Sequence, residues 1–343
     1  MSILVSSWSK NVQSVPENYV FPEGRRPGDI TAPVCNNIPV IDLAQEGGLD
    51  HDEMIHQIMR GSKDFGLFQV INHGVPEELM DDTMSLFKEF FDMPAEDKAA
   101  YYSEDMSKSF RLYTSGMNYL KDQVNSWKDS VIHQSCHPLD DNIQSWPEKP
   151  RRYREVVGAY SVEVKKLTAR ILDMICEGLG IELGYFGDEL SEKHALVVNH
   201  LPPCPDPSLV QGVRRHTDPN LLTLLQQEVY GLQIFHEGKW VGVEPIPHAF
   251  VINISDQLQT ISNGKLKSPQ HRAVTNANIA RTSLVTFITP SFESIIEPAK
   301  VLVSESDPQL FKPSPCMKYI SSYIAMVDNR KGREDPELPK LCD

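Results

Sequence analysis

From residue 190 onward the chain reads as short apolar runs cut by turn residues. Strand-like runs occupy 195–201, 221–226, 231–236, 239–243, 250–254, 271–275 and 282–289. Asn, Pro, Gly and Asp separate them, and Glu237-Gly238 has the composition of a hairpin turn. Regular short strands with turn signals predict a sandwich or barrel, such as a jelly roll.

Upstream the period changes. Residues 1–37 are polar, dotted with proline, and read as an extended lead-in. A short apolar run at 38–43 predicts a strand, and 50–65 predicts a helix with Met54, Ile55, Ile58 and Met59 on one face. Residues 67–71 predict a second strand. Pro76 is placed to open a helix carrying Leu79, Thr83, Phe87, Phe90 and Phe91. Residues 92–150 lack a clear period and are broken by Pro94, Pro138, Pro147 and Pro150. The longest helical pattern runs over 151–180, with Gly180 closing it. A last helix is predicted at 316–327, with Tyr319, Tyr323 and Met326 on one side. The fold class is therefore mixed α/β (α+β), a jelly-roll core with flanking helices. Its predicted regions are 1–190 (helix-rich), 191–300 (core) and 301–343 (C-terminal helix or lid).

Charge and composition remove several functions. The 343 residues carry 47 acids against 33 bases, a net charge of −14, so neither nucleic acid nor an anionic membrane is an expected partner. No apolar run is long enough to span a bilayer, and the N-terminus lacks a signal-peptide core. The six cysteines are scattered without a C-x-x-C, which fits reduced thiols and a cytoplasmic protein. Cys136, with His133 and His137 nearby, reads as a surface loop rather than a metal module. With no exposed apolar seam in the sequence, a monomer is expected.

The chemistry centres on His216-Thr217-Asp218. If these residues lie on a strand, i and i+2 share a face, and an imidazole and a carboxylate can grip one metal ion. His271 lies on a later strand, with 52 residues between it and Asp218. Two histidines and one carboxylate on one octahedral face leave three positions open. That arrangement suits non-haem Fe(II) binding a co-substrate and O2 together. Arg281 and Ser283 follow on another strand and share a face. A fixed guanidinium with a neighbouring hydroxyl can hold one end of a small di-acid, and a buried Arg requires an anion.

His216-x-Asp218, His271 and Arg281-x-Ser283 together resemble the signature of plant Fe(II)/2-oxoglutarate-dependent dioxygenases. The segments 64–76, 216–226 and 249–254 resemble the family's N-terminal signature and core strands. Segments 145–150, 160–186 and 296–300 make the overall pattern most like that of hyoscyamine 6β-hydroxylases. The resemblance implies a double-stranded β-helix of the isopenicillin-N-synthase type. It implies Fe(II) at His216, Asp218 and His271. It implies 2-oxoglutarate at Arg281, Ser283 and Asn199, with ascorbate in support, and O2 and a small molecule as the other reactants. The family usually reads Asn-Tyr-Tyr-Pro where this chain has Asn199-His200-Leu201-Pro202. Leu201 cannot donate a hydrogen bond, so weaker 2-oxoglutarate binding is expected.

The implied reaction is hydroxylation, or a further oxidation or epoxidation, of a plant specialised metabolite. A tropane-like alkaloid is favoured, with a phenolic, flavonoid or salicylate substrate as the alternative. Residues 111–129 match the pocket-lining segment of relatives, yet Tyr113–Met117 offers one ring and no acid for an ammonium. Tyr113, Trp127, Phe287, Tyr319 and Tyr323 are the candidate substrate-binding residues. Lys128 and Asp129 read as a surface or structural pair. An oxidase without 2-oxoglutarate, or a non-catalytic binding protein on the same scaffold, are the competing readings. Arg281-x-Ser283 argues against the first, and the complete triad against the second.

Overall fold

The computed structural model describes residues 3–28, 30–45, 51–116 and 124–328. Met117 and Cys342 lie outside them. Two sheets face each other. The larger has eight strands in the order β1-β2-β10-β7-β12-β5-β4-β3. These are β1 (Val40–Asp42), β2 (Leu67–Ile71), β3 (Phe110–Thr114), β4 (Asp129–His133), β5 (Lys193–Leu201), β7 (Leu222–Gln227), β10 (Phe250–Ile254) and β12 (Arg281–Thr289). The smaller runs β6-β11-β8-β9, from β6 (Val213–His216), β8 (Leu232–His236), β9 (Lys239–Gly242) and β11 (His271–Ala273). Every pairing in both sheets is antiparallel except β1 with β2. The expected jelly roll is therefore present.

Period-2 alternation sorts the large sheet into two faces. Phe68, Val70, Leu112, Val131, Leu196, Val198, Leu224, Ile252, Leu284 and Ile288 point outward into the main apolar core. That face packs against helices His51–Asp64, Glu77–Asp92 and Tyr153–Leu179, whose apolar stripes fall where the sequence pattern put them. The other face looks toward the small sheet. There Leu67, Val251 and Leu225 meet Leu232, Ile234 and Val241 at one end, and polar residues take over at the other. The β8–β9 hairpin turns through Glu237 and Gly238, both left-handed at φ 49° and 79°, as a two-residue turn requires.

Three expectations change. Residues 92–150 hold two full strands, β3 and β4, which extend the large sheet. The lead-in is not simply extended. It forms a helical turn at Val5–Trp8 and packs Trp8 and Tyr19 on Trp127. Cys136 is not in a surface loop. It and His133 are buried in the core, where loss of water pushes the thiol up to about 12.

Candidate metal centre

β6 and β11 are neighbours, and their register sets His216 directly opposite His271. The ring centroids are 4.2 Å apart. Asp218 reaches the same point by a different route from the one alternation suggests. The strand stops at His216, and Asp218 sits in the following loop. That loop is tied down from behind. Its Asp218 carbonyl accepts from the Asp256 N–H (2.9 Å), and the Thr217 hydroxyl donates to the Asp256 carboxylate (3.0 Å).

The two Asp218 oxygens have separate duties. Oδ2 accepts from Thr223 Oγ1 on β7 (2.8 Å) and from Asn253 Nδ2 on β10 (2.7 Å). Oδ1 is left facing His216 Nε2 at 3.4 Å and His271 Nε2 at 3.5 Å. Each imidazole is oriented by a carbonyl on its far side. His216 Nδ1 meets the Arg214 carbonyl at 2.8 Å, and His271 Nδ1 meets that of Pro269 at 3.1 Å. A protonated Nδ1 in each ring leaves Nε2 bare, the tautomer a metal needs. Among the described residues this is the one group of three whose ligand atoms all lie within 4.8 Å. Burial alone would raise the Asp218 carboxyl, but the facing His271 and His216 and the Thr223 hydroxyl hold it well below the usual carboxylate range. Burial and the neighbouring His216 bring His271 down to about 4. One carboxylate oxygen facing two imidazole Nε2 atoms is a donor set that fits Fe(II).

The triad opens into a cavity that Asn199, Arg281, Ser283 and Phe287 also line. Arg281 is buried, and burial lowers its guanidinium to about 10. Its hydrogen bonds go to neutral acceptors: the Val229 carbonyl (3.1 Å), Ser283 Oγ (3.2 Å) and Gln227 Oε1 (2.8 Å). Gly231 makes room for the side chain, since a Cβ there would lie 2.5 Å from Arg281 Cδ. Gln227 Nε2, beside it, is a buried donor without a protein partner. An anion is the ligand this end of the cavity lacks. Leu201 is opposite Arg281 in register and is buried against Gly212, so no phenol reaches that end from β5.

Asn199 is held by two donors. Lys128 Nζ and Ser130 Oγ each approach Oδ1 at 2.8 Å. A lysine ammonium has no acceptor, which fixes the amide orientation and directs Nδ2 toward the cavity. Lys128 and Asp129 are therefore not an ion pair: Lys128 is half-buried and Asp129 fully buried. Alternation sends Lys128 inward and Asp129 outward, where its carboxylate accepts the backbone N–H groups of Val5 (2.9 Å) and Ser6 (2.7 Å).

The five aromatic candidates scatter. Phe287 lines the cavity. Tyr113 shares the inner face, opposite Ser130 on β4. Trp127 is locked between Trp8 and Tyr19, and its Nε1 donates to the Pro202 carbonyl at 3.0 Å. Tyr319 and Tyr323, on helix Cys316–Asp328, brace the loop that carries Asp218. Their hydroxyls donate to Asp256 Oδ2 (2.6 Å) and the Thr217 carbonyl (2.7 Å). The sequence reading passed over Thr223 and Asn253. An Asn inside the apolar run Phe250–Ile254 was the available signal, since a buried central strand carries an amide only with a partner to serve.

Two family models match the chain. Residues 192–290 match the 2OG-Fe(II) oxygenase superfamily, and residues 38–152 match the non-haem dioxygenase in morphine synthesis N-terminal model. Hyoscyamine 6-dioxygenase of Hyoscyamus niger is 45% identical over 336 residues, 95% of either chain. Protein DOWNY MILDEW RESISTANCE 6 of Arabidopsis thaliana is 42% identical over 297 residues, 86% of either chain. The crystal structure of JOX2 in complex with 2OG, Fe and JA superposes with a TM-score of 0.82 at 33% identity, covering 94% of this chain and 93% of that one.

Proposed function

The chain belongs to the 2OG-Fe(II) oxygenase superfamily, enzymes that use Fe(II) and 2-oxoglutarate, and from that premise we propose which residues run its chemistry. His216, Asp218 and His271 hold the iron. Arg281 and Ser283 hold the distal carboxylate of 2-oxoglutarate, and Asn199 Nδ2 donates to the same molecule. The reading is carried by Asp218, whose Oδ2 is taken by Thr223 and Asn253 while Oδ1 faces both bare imidazole nitrogens.

With iron and co-substrate bound, the chemistry supplied is the decarboxylation of 2-oxoglutarate by O2 to succinate and CO2, coupled to hydroxylation of a C–H bond. The protein's own part is positional. Thr223 and Asn253 keep Asp218 aimed. The Arg214 and Pro269 carbonyls keep both imidazoles in one tautomer. Apolar Val251, Leu225, Val285 and Phe287 keep the interior dry. Gln227 Nε2, beside Arg281, is the donor available in place of the phenol that Leu201 lacks.

The substrate is a small plant metabolite. Of the two classes the sequence leaves open, an ammonium-bearing alkaloid has little to meet it, because Asp218 is the one acid among the described residues lining the cavity. The test is anaerobic. Adding Fe(II) and then 2-oxoglutarate to the purified protein gives a saturable visible metal-to-ligand charge-transfer band. The band is lost in His216→Ala and needs more 2-oxoglutarate in Arg281→Ala. A band that survives His216→Ala rejects the assignment.

A further inference from the structure

The inner face of the large sheet carries a second, separate set of cations. On β3, Arg111 and Tyr113 point the same way, and Tyr113 is opposite Ser130, which is opposite Asn199, which is opposite Ser283. Lys128, two residues before Ser130, shares that face. The Arg111 guanidinium lies 4.4 Å from the Tyr113 ring centroid, and Lys128 Nζ lies 5.8 Å from the same centroid. The ring thus has a cation at each of two approaches.

Among the described residues neither cation has a carboxylate partner. There Lys128 Nζ donates to the neutral Asn199 amide. Arg111 is 1% exposed. Its Nε is buried without a partner, and its Nη1 makes one long contact, 3.4 Å, to the Ser103 carbonyl. No described carboxylate lies within ion-pair distance of either, and the adjacent Asp129 is spent on the opposite face. A fully buried guanidinium beside a half-buried ammonium, both with neutral partners among the described residues, is costly unless an anion arrives.

That anion is not the distal carboxylate of 2-oxoglutarate. Arg281 and Ser283 lie on β12, and Arg111 lies three strands away on β3, so at about 4.8 Å per strand their backbones are about 14 Å apart. Lys128 Nζ reaches in from the other side only as far as Asn199 Oδ1 on β5. We propose that Lys128 and Arg111 receive a carboxylate of the prime substrate, so that the enzyme oxidises a small organic acid whose ring or chain lies along Tyr113. This rests on the reading of the cavity as a 2-oxoglutarate oxygenase site. The guanidinium supplies planar, paired donors and the ammonium a movable one, a combination suited to a carboxylate. A substrate ammonium would meet two like charges instead.

The test is a charge ladder on one frame: 3-phenylpropanoate, its methyl ester and 3-phenylpropylamine. Each is titrated anaerobically into the Fe(II)–2-oxoglutarate complex, and the shift of the visible band is read. The acid is expected to half-saturate at a concentration at least tenfold below the ester, with the amine weaker still. Lys128→Gln, which can still donate to Asn199, should raise the acid's value at least tenfold and the ester's less than threefold. A wild-type response that is equal for acid and ester, absent for all three, or strongest for the amine overturns the proposal. So does a Lys128→Gln variant that keeps the acid preference and instead loses 2-oxoglutarate affinity. Failure of the wild-type band to form at all rejects the oxygenase reading, and the substrate proposal falls with it.

Discussion

The two faces of the large sheet are equally buried and chemically opposite. Leu224, Ile252, Leu284 and Ile288 on the outer face are fully buried, and so, within a few per cent, are Thr223, Asn253, Arg281 and Ser283 on the inner face. The residues alternate along the same strands. Outside, each side chain loses water and gains close-packed contacts with the helices. Inside, each loses water and gains hydrogen bonds that fix the polar groups around the cavity. Burial therefore does not distinguish scaffold from site here. The parity of a residue within its strand does.

The sharpest break of that comparison is His216→Ala or Asp218→Ala. Iron-dependent 2-oxoglutarate turnover should vanish while the thermal transition moves little, because these groups serve a metal rather than the packing. A large drop in Tm would mean that the inner face carries fold stability as well. The complementary substitution is Ile288→Ala. Removing a fully buried aliphatic side chain from the outer face should cost about 2–5 kcal/mol in chemical unfolding. Below its melting temperature the variant should still give the charge-transfer band with unchanged 2-oxoglutarate half-saturation. Asn253→Ala has a smaller effect and tests the inner face alone. Loss of one of the two donors to Asp218 Oδ2 should weaken Fe(II) binding roughly 10–100-fold, the range for groups that orient metal ligands.

The same alternation explains what could be read from sequence. β12 shows its parity openly, since Arg281 and Ser283 alternate with the outward-facing series that carries Leu284 and Ile288. The triad was legible because His and Asp at short spacing are rare beside apolar strands. That Asp218 lies beyond the strand could not be read, because what aims it is a set of contacts from β7, β10 and the helix after β10. β3 and β4 were missed for a related reason. Phe-Arg-Leu-Tyr-Thr and Asp-Ser-Val-Ile-His put polar residues on faces that are both buried, so no polar-out pattern exists. Lys128 and Asp129 looked like a solvated pair because adjacent charges usually are one. Inside a sheet they are separated by the backbone, and each acts on its own face.

β4 also permits a titration of each face. His133 points outward among Phe87, Phe110, Trp146 and Tyr153, and burial pushes it down to about 3. The folded chain thus keeps it neutral, while the unfolded chain protonates it near 6.5. Stability is complete above that value and is lost as pH falls from about 6.5 toward 3, by about 1.4 kcal/mol per pH unit from this residue. His133→Phe should flatten the acid limb of unfolding free energy against pH by that slope. Lys128 points inward and titrates in the opposite range. Burial, with the repulsion of Arg214 on β6 and Arg111 on β3 and only partial relief from Asp129, lowers it to about 8. Binding of a carboxylate probe should therefore weaken as pH rises through about 8, where the ammonium is lost. Stability should move the other way, rising by up to about 1.4 kcal/mol per pH unit between about 8 and 10.5, because the unfolded chain keeps the proton that the folded chain has already released. An acid limb that moves carboxylate binding would mean that the two faces of this strand are not independent.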